Sequence, residues 1–282
     1  MRITPLITRR LVERALADHA ERNRELTARI ASGRNLLYPH DSPERMPELL
    51  RLDQVRAAVD GYRTQAAAAK AWLDETDAAL GRAGQLLLRV RELVVLAASD
   101  TLNEADRTAI GTEIDQIREE MQDIANGQYN GSSLFGDVEV QRVIAPGVTV
   151  VVNVKRQDVF GGAGATTGDQ VLPALDAIIA HLDPGDPATG EWLRTEGLAK
   201  VDAAIELVAR ARAKVGARSA RVERTEEQLQ NLKVRLESNL ADTDGFDLAA
   251  ALTELRQQEA TYEATLMVTA RLERFSLVDW LR

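Results

Sequence analysis

The sequence predicts a mainly α fold: a long antiparallel helical bundle, or coiled coil, built from both chain ends and carrying a small β-hairpin insert. Three observations predict it. Apolar or small residues alternate spacings of three and four without a slip from Leu52 to Ala97. Val201, Val208, Val215, Val222, Leu229 and Leu236 recur every seven residues. Between these stretches the period drops to two, across Val138–Val154. A seven-residue repeat sets one stripe of a helix against a partner helix, whereas a period of two puts alternate side chains on one face of a strand. Composition agrees: the chain is 45% hydrophobic but only 4% aromatic, with 28% charged residues, which suits long helices meeting through narrow aliphatic seams.

Taken in order, the N-terminal stripe of Leu16, Ala20 and Ile30 is weak. The 52–97 repeat then gives a helix roughly 70 Å long at ~1.5 Å per residue. Gly61, Gly81 and Gly84 lie inside it; each costs about 1 kcal/mol relative to Ala, so the helix needs partners. Thr101-Leu-Asn-Glu104 reads as a capping box opening a second helix with Ile110, Ile114, Ile117, Met121 and Ile124 on one face. Asn126-Gly127 ends it and Asn130-Gly131 adds a turn. Residues 137–155 read as a hairpin. Val138, Val140 and Ile144 share one side of its first strand, Val148, Val150, Val152 and Val154 one side of the second, and Ala145-Pro146-Gly147 supplies a type II turn. A glycine-rich connector (Gly161–Gly168), a short helix near 171–182 and a loop with Pro184, Gly185, Pro187 and Gly190 follow. The seven-residue row comes next, flanked by Ile205 and Leu232. Beyond the break at Asp244-Gly245 a last seam runs through Leu248, Leu252, Leu255, Tyr262 and Leu266. The expected division is a terminal coiled-coil domain of residues 1–40 and 246–282, a long-helix core domain of 41–136 and 196–245, and an insert of 137–195.

Several function classes lose support. A net charge of −9 disfavours nucleic acid, because the arginines at 2, 9, 10 and 14 are not interleaved with aromatics. No apolar run nears the ~20 residues needed to span a bilayer. There is no cysteine, which excludes disulfides and thiolate metal sites. The N-terminus lacks the apolar core and cleavage site of a secretory signal. His19, His40 and His181 are scattered, so no metal or catalytic cluster is expected. The Gly161–Gly168 loop lacks the Lys-Ser/Thr of a phosphate loop. Asp242-Thr-Asp244-Gly245 departs from calcium-loop spacing and reads as a turn and helix cap. These residues support no catalytic or cofactor site, and neither a cofactor nor enzymatic activity is expected.

Four stretches resemble the flagellin superfamily. Leu26-Thr-Ala-Arg-Ile-Ala-Ser-Gly-Arg34 is similar to the end of the family's N-terminal helix, and Tyr38-Pro-His-Asp-Ser-Pro43 to the turn after it, with Ser42 in place of the usual second Asp. Arg89-Val-Arg-Glu-Leu93 with Ala97-Ala98, Asn103–Arg107, Glu113-Ile114 and Ile124–Asn126 carries the most specific signature. Leu134-Phe135-Gly136 and the ending Leu272–Leu281 (LERFSLVDWL) resemble the hook–filament junction proteins, the hook-associated protein 3 family, more than flagellins. Arg142–Gly147 through Val159–Gly161 resembles their insert.

The resemblance implies an adaptor ring between the hook side and the flagellin filament. It implies contacts with itself, a hook-side junction protein and flagellin. It also implies unfolded export to the extracellular flagellum through the flagellar type III channel, with a chaperone holding the C-terminal helix. The assembly interface is expected from the apolar residues of the terminal helices: Leu6, Leu11, Leu26 and Ile30 at one end, and Leu252, Leu255, Tyr262, Leu266, Leu272, Phe275, Leu277 and Trp280 at the other. Flagellin itself is the alternative within this class, and a cytosolic coiled-coil scaffold the alternative outside it.

Overall fold

The computed structural model describes the backbone of residues 5–99, 102–161, 170–182 and 189–280, and the side chains of residues 10–99, 102–161, 170–182 and 190–270. The described chain runs α1 (Pro5–Ser32), α2 (Met46–Ala97), α3 (Glu104–Ala125), β1 (Gln128–Tyr129), β2 (Ser132–Ser133), β3 (Gln141–Ala145), β4 (Val148–Val151), α4 (Arg156–Val159), α5 (Val171–His181) and α6 (Thr189–Trp192). A π-helical turn (Leu193–Gly197), α7 (Leu198–Asp244) and α8 (Leu248–Trp280) follow. Long helices drawn from both ends, with a small two-stranded insert, make the mainly α fold that the repeats predict. The chain divides into two compact units, one of residues 1–57 and 234–282, the other of residues 58–233.

In the second unit the long repeat forms the core. From Val59 to Ala97 only Tyr62 of the predicted α2 stripe escapes full burial, and Val201, Val208, Val215, Val222 and Leu229 of α7 are buried too. Alanines at 66, 69, 83 and 97 keep the seam narrow. Its one polar member, Thr76, is fully buried and donates through Oγ1 to the Trp72 carbonyl at 2.9 Å. Ion pairs Asp60–Lys233 (2.9 Å), Lys70–Glu223 (2.7 Å), Asp77–Arg212 (2.9 Å) and Arg91–Asp202 (2.7 Å) show α7 receding as α2 advances. The helices are therefore antiparallel. Such exposed pairs each contribute at most about 1 kcal/mol; they report the register that apolar burial enforces.

α3 buries Ile110, Ile114, Ile117, Met121 and Ala125. Its cap differs from the sequence reading. Asn103 is the N-cap, its side chain accepting from the Asp106 N–H at 2.8 Å, and the helix begins at Glu104. Thr101 lies outside the described residues. Asn130 (φ 49°) and Gly131 (φ 75°) form the two-residue turn joining β1 to β2. Positive φ at both centres is the twist that closes a tight hairpin, so this Asn-Gly turn carries two short strands the sequence reading did not assign.

The main hairpin pairs Gln141 with Val151 and Arg142 with Val150, turning on Pro146 and Gly147 (φ 71°). Its first strand starts later than expected. Val138 is 77% exposed and precedes the strand, and a register shift between Val143 and Ala145 buries both Ile144 and Ala145, breaking the strict alternation. The buried Asn153 finishes the ladder: its Oδ1 accepts from the Val140 N–H (2.8 Å) and its Nδ2 donates to the Val138 carbonyl (2.7 Å). Arg218 of α7 donates to the Asn153 carbonyl at 2.8 Å, and Phe135 meets Phe160 edge to face beneath.

Most of the glycine-rich connector (162–169) and the loop bearing Pro184, Gly185 and Pro187 lie outside the described residues. Gly190, expected in that loop, is instead helical. Trp192 stacks on His181 with ring centroids 3.7 Å apart, which ties α6 to the end of α5.

In the first unit α1 and α8 pack together. Val12, Ala15, Leu16, His19, Ala20, Asn23, Leu26 and Ile30 make the partly or fully buried face of α1. On α8 the partly buried row is Ala251, Leu255, Gln258, Tyr262, Thr265 and Thr269, at spacings of four and three. His19 Nδ1 and Gln258 Nε2 lie 2.8 Å apart. This row is rotated from the seam read in the sequence: Leu248 (51%), Leu252 (40%) and Leu266 (42%) stay exposed.

Candidate assembly interface

A backbone clasp positions the terminal helices. Gly33 takes φ 65° at the end of α1, a conformation that suits glycine and turns the chain out of the helix. Arg34 then reaches both carboxylate oxygens of Asp53 at 2.6 Å. Asp244, the buried last residue of α7, accepts from the backbone N–H groups of Asn35 (2.7 Å) and Leu36 (2.9 Å). Gly245 (φ 65°) breaks the helix, and Asp247 caps α8 by accepting from Ala249 and Ala250. Asp41 accepts the Leu37 and Tyr38 N–H groups at 2.9 Å. The Tyr38 N–H above all, with Leu37, His40 and Arg29 adding to it, holds the Asp41 carboxyl below its ordinary pKa against the opposing effect of burial.

Against this frame, the sequence-derived interface residues separate into three groups. Leu26 is buried, and Ile30, Leu255 and Tyr262 are partly buried on the faces that α1 and α8 turn inward. Leu11 (63%), Leu252 and Leu266 are exposed, and Met267 (63%) and Val268 (54%) extend the apolar surface of α8. The side chains of Leu6, Leu272, Phe275, Leu277 and Trp280 lie outside those described. Sequence reasoning missed Met267 and Val268 because they stand off its seam, and Asp244 because it read that aspartate as a local cap only.

No histidine meets another: His19 contacts Gln258, His40 stacks on Tyr38, and His181 stacks on Trp192. Among the described residues no group of three or more His, Asp or Glu could hold a metal ion, and no helix is long and apolar enough to cross a membrane.

The bacterial flagellin N-terminal helical region matches residues 7–139, and the flagellin C-terminal helical region matches residues 198–281. The two take in most of α1, all of α2, α3 and α7, and α8. The chain belongs to the flagellin superfamily. Among curated flagellins it is similar to flagellin FlaB1 of Treponema pallidum (strain Nichols), with 24% identity over 243 residues, 82% of this chain and 83% of that one. Among solved structures it shares its fold with a candidate flagellar hook-associated protein of Vibrio parahaemolyticus (TM-score 0.66, 21% identity, 73% of this chain and 100% of that one). It also shares it with flagellar hook-associated protein-3 of Legionella pneumophila (TM-score 0.60, 14% identity, 70% and 99%). The superfamily is one of structural flagellar components, which places its members in the extracellular flagellum. In this member only residues 140–197, with the main hairpin, α5 and α6, stand between the two flagellin regions.

Proposed function

We propose that this flagellin-superfamily member is the adaptor of the hook–filament junction: a ring of copies seated on a hook-side junction protein and presenting a platform to flagellin. The observation that carries this reading is the fit to hook-associated protein-3 over 99% of that chain's length, made with a short insert. The Leu134-Phe135-Gly136 motif and the Leu272–Leu281 ending support it. The exposed apolar residues of α1 and α8 supply the contacts between subunits. Copies stacked around an axis meet through unlike surfaces, so one subunit's terminal helices bury what its neighbour exposes. Export proceeds without a cleaved signal, and a chaperone covers the apolar surface of α8 until secretion, as helix-in-groove capture allows.

A second reading, flagellin itself, is favoured by the flagellins among the curated relatives. Deleting the gene in a flagellated host separates the two. Loss of an adaptor leaves hooks without filaments and sheds intact flagellin into the medium. Loss of a filament subunit leaves no flagellin to shed, and that result would overturn the proposal.

A further inference from the structure

Between Glu206 and Glu223, α7 carries five cations and no acid, in a chain whose net charge is −9. Arg212 turns away to Asp77. Arg210, Lys214, Arg218 and Arg221 follow at four, four and three residues, which puts them on one helical face. Arg210 meets Glu206, and Arg218 donates to the Asn153 carbonyl. Lys214 and Arg221 are exposed and have no acidic partner among the described residues. Lys155, just beyond β4, adds a further cation to the crevice of about 100 Å³ that Arg210, Lys214 and Arg218 help to line. Glu139 in that crevice pairs with Lys155 at 3.3 Å, and Asp158 is its other acid, so cations outnumber acids there. The crevice is too small for anything larger than protruding side chains.

α3 offers the complement. Asp115, Glu119 and Asp123 form one exposed row with Glu120 beside it, and none has an ion-pair partner among the described residues. Arg118, within the row, is engaged by Asp176 of α5. At 1.5 Å per residue the acidic row is roughly 12 Å long and the basic row roughly 16 Å, so one can lie along the other. Among the described residues no ion pair joins the two rows within one chain.

We propose that the basic row of α7 receives the acidic α3 row of a second copy of this chain, which sets the register between neighbouring subunits. The inference rests on the reading that the chain assembles in multiple copies. Each exposed pair is weak; a row of them acts through complementarity and excludes misregistered neighbours, in a salt-sensitive way.

The absence of native cysteine gives a clean test. Ala217→Cys borders the basic row and Gln116→Cys the acidic row, both at exposed positions. The two variants are co-expressed in cells lacking the native chain, and the isolated flagella are oxidised. A disulfide-linked dimer is expected from the mixture and from neither variant alone. Arg221→Glu in the Ala217→Cys chain should lower its yield about tenfold, and Glu119→Lys in the Gln116→Cys chain should restore it. Filamented cells with no mixed dimer, dimers from either variant alone, or a reversal that Glu119→Lys fails to rescue would each overturn the inference. Because filaments still grow in those cases, the junction assignment would be untouched.

Discussion

Leu252→Asp with Leu266→Asp is expected to abolish filament attachment while leaving the thermal unfolding of the free monomer unchanged. Both leucines are exposed in the monomer, so neither substitution puts a charge into its core. In the proposed assembly they face a neighbour. A carboxylate desolvated there without a partner costs several kcal/mol, which corresponds to several orders of magnitude in docking. Phe275→Ala with Trp280→Ala should give the same bald hooks, since aromatic anchors at protein contacts often contribute about 2 kcal/mol or more each. The medium should then contain flagellin, and a chain lacking residues 248–282 should no longer be captured by its export chaperone. Wild-type filament numbers with Leu252→Asp/Leu266→Asp would show that this face of α8 is not the interface.

Asp244→Ala should loosen the terminal unit by about 3 kcal/mol, because it strands the buried Leu36 N–H and the part-buried Asn35 N–H that now share a carboxylate, each such bond contributing about 1.5–3 kcal/mol. Amide exchange at Asn35 and Leu36 should accelerate by about a hundredfold, the factor that roughly corresponds to this energy. Exchange in α3 and the main hairpin should not change, since they belong to the other compact unit. Asp244→Asn keeps one acceptor oxygen and should fall between. Unchanged exchange at both amides in the alanine variant would mean that the clasp does not hold the terminal helices.

The parts of the fold legible in the sequence are those whose signal is local and repeated. Leu52–Ala97 and the seven-residue row of α7 announce themselves because a buried seam requires an apolar or small side chain at every turn. The main hairpin shows through its period of two and its Pro146-Gly147 turn. Where two solutions fit the same local pattern, the sequence could not choose. Thr101 and Asn103 both suit an N-cap, and the structure uses Asn103, which ranks at least as well as threonine there. The phase of α8 was hidden for a different reason. Its inward row includes Gln258, Thr265 and Thr269, which carry no apolar signal, while Leu248, Leu252 and Leu266 carry a strong one and face outward. An outward apolar row reads, in one sequence, like a row that packs into its own core. Asp244 was legible as a helix end but not as a clasp, because its partners lie 208 and 209 residues away.

A junction adaptor sits at one level of the flagellum, so imaging where this chain resides separates it from a filament subunit. Cells expressing the chain with Thr149→Cys, at an exposed position of the main hairpin, can be labelled by a thiol-reactive dye on intact flagella and the bound copies counted. A single focus is expected at each hook–filament boundary, with a ring's worth of copies that does not grow as the filament lengthens. Label running the length of the filament, in proportion to it, would contradict the adaptor role and establish the chain as a filament subunit.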